Sequence, residues 1–137
     1  MSTTGPLPQP DDDLVAAFWE FCAREELRFQ RCSACSTWRH LPRLRCAACG
    51  SPDFRWERSS GRGRVYSWTV THQSPMSAFA ARAPFAVLVV ELDEGVRMVA
   101  GLVEASPAAL RLDLPVEVVF ERRSPEWALP NFRPRSD

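Results

Sequence analysis

Two cysteine pairs, Cys32-Ser-Ala-Cys35 and, after ten intervening residues, Cys46-Ala-Ala-Cys49, govern how this chain folds. Each Cys-x-x-Cys pair can curl into a knuckle whose backbone N–H groups point at the thiolate sulfurs, and two knuckles supply four ligands in a tetrahedral arrangement. Four thiolates favour Zn²⁺, and iron held by the same four sulfurs is the alternative. Because the cysteines fill the coordination shell and leave no position for water, we expect a structural metal that takes no part in catalysis.

The length and the N-terminus of the chain limit its class and compartment. The 137 residues are 45% hydrophobic, which fits one small domain or two very small ones and excludes a large multidomain enzyme. The N-terminal residues lack the positive and apolar regions of a secretory signal, and the longest apolar run, residues 85–90, is too short to span a membrane. We therefore expect a cytoplasmic protein whose cysteines bind metal instead of forming disulfides.

Changes in composition divide the chain into four segments. Residues 1–10 contain three prolines and few apolar side chains, so we expect a disordered leader. Residues 11–26 predict an N-terminal helix: aspartates stand at its start, and an apolar stripe with helical spacing runs through residues 14–26. We predict a zinc ribbon in residues 27–58 and a β barrel with a C-terminal tail in residues 59–137.

Four stretches rich in β-branched and aromatic residues predict the strands of the second half. They are residues 65–70, 85–92, 96–102 and 116–120, with a fifth strand suggested near residues 110–112. Asp93-Glu94-Gly95 predicts a tight hairpin in which Gly95 takes a positive φ. These strands indicate a small barrel or sandwich.

No catalytic motif accompanies the cysteines, so we assign no catalytic residue. We find no nucleophile elbow, no His-Glu-x-x-His and no phosphate loop, and only His40 and His72 offer an imidazole. Cys22, on the apolar helix face, is predicted to be a buried inert thiol, and His40 a surface imidazole. His72 is interpreted as a hydrogen-bonded structural residue or as a group that serves a partner's active site.

Apolar side chains outside the regular pattern suggest contacts with another molecule. The loop of residues 73–84 and the tail of residues 124–137 both carry apolar anchors without periodicity, so each is expected to pack on another surface. We take six residues as candidate partner contacts: Trp19, His72, Met76, Phe79, Trp127 and Phe132.

The arginines are concentrated in the middle of the chain. All 17 cations are arginine against 17 carboxylates, yet residues 31–64 carry a net charge of +6 and include Trp38 and Trp56. Arginine alternating with aromatics can bind single-stranded nucleic acid by phosphate pairing and base stacking. The rest of the chain offsets this charge, and four thiolates on Zn²⁺ add about −2 locally, so the sequence argues against nucleic acid as the partner. Coenzyme A phosphates or plain surface ion pairs are the other uses of these arginines.

The chain also carries short motifs in a characteristic order and spacing. With the paired cysteines, they are Phe18-Trp19-Glu20, Leu27-Arg-Phe-Gln-Arg-Cys32, Cys49-Gly-Ser-Pro, Gly61-Arg-Gly-Arg-Val-Tyr-Ser-Trp-Thr69, Ala83-Pro-Phe, Glu91-Leu-Asp-Glu-Gly-Val-Arg97, Pro115-Val-Glu-Val-Val-Phe120 and Leu129-Pro-Asn-Phe-Arg-Pro134. From about residue 11 to residue 134, the chain resembles the zinc-ribbon OB-fold family once called domain of unknown function 35. Ser36 and Asp113 depart from the pattern, since each stands where the family often has glycine.

The resemblance implies a fold and a metal site. The fold is mainly β, with an N-terminal helix, a rubredoxin-like zinc ribbon and a small OB-fold barrel. The resemblance assigns the metal role to Cys32, Cys35, Cys46 and Cys49. It transfers no catalytic residue, because the family pattern contains none that this chain matches.

The resemblance also implies a function. Members of the family accompany thiolase-fold enzymes that act on acyl-CoA esters: thiolases, hydroxymethylglutaryl-CoA synthase and the lipid-transfer-protein-like aldolases that shorten steroid side chains. We therefore expect a non-catalytic accessory subunit of a hetero-oligomer that orders its partner's active site and helps bind or channel acyl-CoA. The preferred partner is a steroid side-chain CoA-ester retro-aldolase, a lyase.

Two other functions remain open at this point. A single-stranded nucleic-acid-binding module is the alternative, and an independent enzyme of CoA-ester chemistry ranks last. Structural Zn²⁺ is the one cofactor expected, with no redox or organic cofactor and no membrane partner. The chain alone is expected to be inactive.

Overall fold

The computed structural model describes residues 6–136. The predicted leader of residues 1–10 therefore lies partly outside the described residues, and residues 6–10 take no regular secondary structure. Within the described residues, no helix is long and apolar enough to cross a membrane.

Helix α1 (Asp13–Ala23) is the predicted N-terminal helix. The carboxylate of Asp12 accepts a hydrogen bond from the backbone N–H of Val15 at 2.8 Å and thereby caps the helix. The prediction that the helix extends to residue 26 is wrong. Glu25 takes a left-handed φ of 59°, and the N–H of Glu26 bonds back to the carbonyl of Phe21 at 3.0 Å, so the helix ends in a Schellman-type cap.

The ribbon is a three-stranded antiparallel sheet formed by β1 (Arg28–Cys32), β2 (Trp38–Arg39) and β3 (Phe54–Arg58), in the order β2-β1-β3. The central strand β1 ends at Cys32, so the first knuckle begins where the strand stops. Phe29 and Gln30, which point to opposite faces of β1, are both buried.

The barrel is built from five antiparallel strands. They are β4 (Arg62–Thr71), β5 (Phe85–Leu92), β6 (Arg97–Gly101), β7 (Pro115–Arg122) and β8 (Ala128–Pro134). Their order is β6-β5-β4-β7-β8, and a single bridge between Leu102 and Phe132 links the two edges, which nearly closes the barrel. The fold is therefore mainly β, as the sequence predicts.

Strand predictions succeeded where apolar residues alternate or cluster. All four predicted strands are present, and β5 has the predicted bounds. Gly95, in the hairpin between β5 and β6, has a φ of 96°, as expected. A short helix, α2 (Ser77–Ala80), interrupts the loop that the sequence left without structure.

The fifth strand lies elsewhere than predicted. Residues 110–112 form no strand; they follow a single 3₁₀ turn (Pro107–Ala109), and Leu112 is exposed. The fifth strand is β8, inside the segment taken for an irregular tail. Two prolines concealed it, because proline cannot donate to a strand ladder and is tolerated only on an edge strand such as this one.

One continuous hydrophobic core joins the helix, the ribbon and the barrel. Phe18 and Cys22 of α1 lie in the same buried cluster as Leu27 and Phe29 of the ribbon and the inward residues of the barrel strands. The helix packs on both β1 and β8. The ribbon is therefore held against the barrel through α1. The boundary predicted between residues 58 and 59 stays a prediction.

Candidate metal centre and its surroundings

The four cysteines of the two pairs converge on one point. Their sulfur atoms all lie within 4.8 Å of one another, with 3.6 Å between the sulfurs of Cys32 and Cys49 and between those of Cys35 and Cys46. Four sulfurs at ~2.3 Å from a tetrahedral ion are separated by about 3.8 Å. The cluster is therefore positioned to hold a metal ion.

Each pair forms the same tight turn. The N–H of Ser36 donates to the carbonyl of Cys32 at 3.0 Å, and the N–H of Gly50 donates to the carbonyl of Cys46 at 2.8 Å. The residue after each second cysteine is left-handed, with φ of 65° at Ser36 and 80° at Gly50. Only the second knuckle uses glycine, which adopts this conformation without steric cost.

Backbone N–H groups inside the knuckles favour thiolates. Hydrogen bonding from the backbone of Cys35 lowers the pKa of Cys32, and hydrogen bonding from the backbone of Cys49 lowers the pKa of Cys46 to about 6. The backbone of Ser51 favours the Cys49 thiolate, but the neighbouring Cys32 and Cys35 thiols outweigh it and raise the pKa of Cys49 to about 11. A cation bound among these sulfurs would stabilise all four thiolates together, so that the neighbouring sulfurs would no longer raise the pKa of Cys49.

A buried glutamine clamps the loop that leads to the second knuckle. Gln30 is 1% exposed; its Nε2 donates to the carbonyl of Arg43 at 2.9 Å, and its Oε1 accepts from the N–H of Arg43 at 2.7 Å and from Nε of Arg39 at 3.0 Å. Nη2 of Arg39 adds a bond to the carbonyl of Arg43 at 3.0 Å. No local pattern predicts this network, because Gln30 stands between Phe29 and Arg31 in a strand that also carries two arginines.

Neither Cys22 nor His40 is a surface residue, although His40 is half-buried and lines two clefts. Cys22 is fully buried, as predicted, and burial raises the pKa of its thiol to about 12. The prediction of a surface imidazole at His40 is wrong, because its ring lies 5.1 Å from that of Phe18 and 5.0 Å from that of Phe29. Burial lowers the pKa of His40 to about 4. His40 does not belong to the metal cluster.

Two candidate contact residues lie against each other on one face. The rings of Trp19 on α1 and Trp127, just before β8, are 6.1 Å apart, and both are half-buried. Trp19 also packs edge-on against Phe18 at 5.2 Å. Each tryptophan is therefore partly covered by this chain, and its contact with a partner stays a prediction.

The remaining contact candidates are dispersed. His72 and Met76 are exposed beyond the end of β4, and the half-buried ring of Phe79 lies 5.7 Å from that of Phe85. The prediction that Phe132 contacts a partner is wrong, because its side chain is fully buried. The alternation of β8 turns its side chain into the barrel, so it has no surface to offer a partner.

The arginine and tryptophan block is largely engaged within the ribbon. The guanidinium of Arg31 covers the ring of Trp38 at 4.9 Å, and Trp56 packs on two phenylalanine rings. Arg31 and Arg55 both pair with Glu57, which lowers the pKa of that carboxyl. Both tryptophans are half-buried and already contact side chains of this chain, which disfavours the nucleic-acid alternative.

An apolar groove of about 850 Å³ runs between α1, the ribbon and the barrel. Its lining includes Leu7, Phe18, Trp19, Leu41, Val99 and Leu129. The groove lies along the gap between the two edge strands of the barrel, β6 and β8, which are not paired in a continuous ladder. In this gap, the side-chain oxygen of Asn131 accepts a hydrogen bond from the N–H of Gly101 at 3.0 Å.

Comparison with known proteins identifies the family to which this architecture belongs. Residues 19–55 match the family model described as the ChsH2 rubredoxin-like zinc ribbon domain, and residues 56–121 match that of the ChsH2 C-terminal OB-fold domain. The solved structure titled Ltp2-ChsH2(DUF35) aldolase contains a similar chain, with 40% identity and a TM-score of 0.80 over 92% of this chain and 98% of that one. This chain belongs to the DUF35 family.

Other relatives of this DUF35 chain are longer. It is 41% identical to the probable enoyl-CoA hydratase alpha subunit of Thermomonospora curvata, over 93% of this chain and 40% of that subunit. It is 35% identical to the 3-oxo-4,17-pregnadiene-20-carboxyl-CoA hydratase alpha subunit of Mycobacterium tuberculosis, over 88% of this chain and 37% of that one. The chain thus spans about two fifths of the length of these relatives.

Proposed function

We propose that this DUF35 chain is a non-catalytic subunit that binds a thiolase-fold enzyme acting on acyl-CoA esters. The observation that carries the proposal is the similarity to the DUF35 chain of the Ltp2-ChsH2 aldolase, at 40% identity over 98% of that DUF35 chain. A retro-aldolase that shortens steroid side chains is the preferred enzyme, which the steroid-derived acyl-CoA named in the mycobacterial relative supports. The enzyme supplies the catalytic groups, and this chain orders its active site.

The metal proposed for the cysteine cluster is zinc. Sulfur separations of 3.6 Å suit a tetrathiolate ion, and backbone hydrogen bonds that lower the pKa of Cys32 and of Cys46 favour their thiolates. With four protein ligands, the ion would fasten the knuckles together and leave no site for substrate. Elemental analysis of protein purified without added metal should give one zinc per chain, and iron in its place would contradict the assignment.

The apolar groove supports a role in holding the acyl group. Its volume of about 850 Å³ could accept part of an apolar chain, and Trp19 is among its lining residues. Trp127, His72, Met76 and Phe79 complete the set proposed to contact the enzyme or its acyl-CoA. The proposed units are a ribbon of residues 27–58 and a barrel of residues 59–137, in a cytoplasmic complex where thiolates stay reduced.

The test is reconstitution with a known enzyme of the proposed class. The Ltp2 chain is co-expressed with this chain, and the mixture is analysed by size exclusion with light scattering. Co-elution as a hetero-oligomer is expected, and cleavage of a β-hydroxy steroid side-chain CoA ester should require both chains. Separate elution with unchanged Ltp2 activity would overturn the proposal, and turnover by this chain alone would contradict its non-catalytic role.

A further inference from the structure

The ribbon carries a protruding apolar turn, which we call the ribbon tip and define as residues 41–45, Leu-Pro-Arg-Leu-Arg. Leu41 is 69% exposed and Leu44 is 76% exposed, the highest values among the large hydrophobic side chains of the described residues. Neither side chain contributes to the core. Single exposed leucines need no explanation, but two on one five-residue turn form a local apolar surface.

The ribbon tip is held rigid from beneath. The buried amide of Gln30 bonds to both the N–H and the carbonyl of Arg43, the central residue of the tip, and Arg39 bonds to the same carbonyl. Arg39 is itself 5% exposed and has no carboxylate partner among the described residues. Burying an amide and a guanidinium is costly, and the cost is only partly offset here: Nε and Nη2 of Arg39 are bonded, whereas its buried Nη1 has no hydrogen-bond partner in the described residues. The chain therefore fixes the backbone of a turn whose leucines point to solvent, and a rigid apolar anchor loses little conformational entropy on binding.

The charge of the ribbon tip specifies what it would meet. Residues 36–45 contain three arginines and no acidic residue. Within residues 6–136, neither Arg43 nor Arg45 forms an ion pair, although Nη1 of Arg45 donates to the carbonyl of Gly50 at 3.0 Å. A complementary surface would therefore be apolar at its centre and rimmed with carboxylates.

The surface continues from the ribbon tip onto the barrel. Leu41 also lines the apolar groove, as does the exposed Val99 of β6. A bound protein could cover the tip and the mouth of the groove together. Leucine offers no stacking platform, and the ring of Trp38 near the tip is covered by Arg31, so a protein suits this surface better than a nucleic acid.

We propose that the ribbon tip is the anchor by which this chain docks on its enzyme: Leu41 and Leu44 enter an apolar pocket whose rim carries carboxylates that pair with Arg43 and Arg45. This inference rests on the proposed function, and it adds the contact surface and the chemistry of the partner's site. The occupant is the thiolase-fold enzyme, not a second copy of this chain.

The test measures binding of the Ltp2 chain by calorimetry and by surface-immobilised kinetics. The first variant is Leu41→Ser with Leu44→Ser. Its matched control is Leu112→Ser, whose leucine is 65% exposed in the turn before β7, outside the ribbon tip. Each anchor leucine is worth about tenfold in affinity, so the double variant should bind about 100-fold more weakly, whereas the control should bind like the unaltered chain. Arg43→Glu should lower the association rate, and added salt should reduce the difference from the unaltered chain.

Each outcome decides between the interpretations. Unaltered binding by the double variant would overturn the inference while leaving the proposed function intact. No binding of the unaltered chain to Ltp2 would reject the proposed function, and the inference with it. A fall in the mass of the isolated chain on tip substitution would assign the surface to a second copy. Oligothymidine binding that Arg43→Glu abolishes would assign it to nucleic acid. The Co²⁺-thiolate absorption spectrum confirms that every variant retains a folded ribbon.

Discussion

Ser36 and Gly50 occupy equivalent positions in the two knuckles, and both have a left-handed backbone conformation. Glycine adopts this conformation without strain, whereas serine does not. A Cβ at Gly50 would meet no atom within 4 Å, so the backbone conformation alone decides the energetics there. We expect Ser36→Gly to stabilise the ribbon by about 1 kcal/mol and Gly50→Ser to destabilise it by a similar amount. Urea unfolding of the metal-loaded protein measures both changes. Equal signs for the two substitutions would refute this account.

His40 makes the stability of the fold depend on pH. Burial between two phenylalanine rings lowers its pKa from 6.5 to about 4, so the unfolded chain takes up a proton at a higher pH than the folded chain does. The free energy of unfolding is therefore highest above pH 6.5, where the ring is neutral in both states. It falls by about 3 kcal/mol in all as the pH drops through about 4. The cleft beside the ring also contains Arg97 and Glu91, which pair with each other at 3.1 Å.

Denaturant unfolding between pH 7 and pH 4 tests this dependence by difference. Acid also protonates the metal thiolates, but it does so equally in the unaltered chain and in variants that keep all four cysteines. His40→Phe should therefore lose less stability than the unaltered chain across this range, whereas His72→Gln, at an exposed position, should follow the unaltered chain. Parallel curves for His40→Phe and the unaltered chain would exclude His40 as a source of the pH dependence.

At the scale of elements, the sequence predicted what its apolar periodicity encodes. Strand β5 (Phe85–Leu92) alternates buried and exposed side chains with few breaks, so its bounds were predictable. Helix α1 was predicted from its apolar stripe, but its end depends on the left-handed Glu25, which no residue preference announces. Strand β8 was hidden because Pro130 and Asn131 are poor strand formers, and the pairing with β7 that overrides their preference is tertiary.

Because Phe132 belongs to strand β8 and not to an irregular tail, its side chain should contribute strongly to the free energy of unfolding. Phe132 is fully buried and lies at the bridge that nearly closes the barrel, so Phe132→Ala should destabilise the protein by about 3–5 kcal/mol. Met76→Ala removes a comparably large but half-exposed side chain and should change stability by less than about 1 kcal/mol. Thermal and urea unfolding compare the two variants. A small effect at Phe132 would mean that β8 is not part of the folded barrel.

At the scale of the whole molecule, the metal cluster was predictable and its support was not. The spacing of the four cysteines is a local feature that survives in the sequence, so their convergence could be anticipated. The clamp of Gln30 on Arg43 joins residues 13 positions apart, and the enclosure of His40 needs α1 to fold over the ribbon. Such contacts depend on tertiary packing, and the partner's surface is not encoded in this chain at all.

Metal removal should separate the two halves of the molecule. The ribbon, formed by β1, β2 and β3, is too small to bury a self-sufficient core, so a metal bound to the four cysteines would provide much of its folding free energy. The barrel strands β4 to β8 pair only with one another, in a sheet separate from that of the ribbon, so the barrel should persist. After chelation, hydrogen exchange should become fast throughout β1, β2 and β3 and stay slow in β5 and β7. Helix α1 should be intermediate, because it packs on β8 as well as on β1.

Restoring zinc should restore protection, and Cys32→Ser should reproduce the chelated state without a chelator. Slow exchange in the metal-free ribbon would mean that the shared core, reached through Leu27 and Phe29, folds it without the ion.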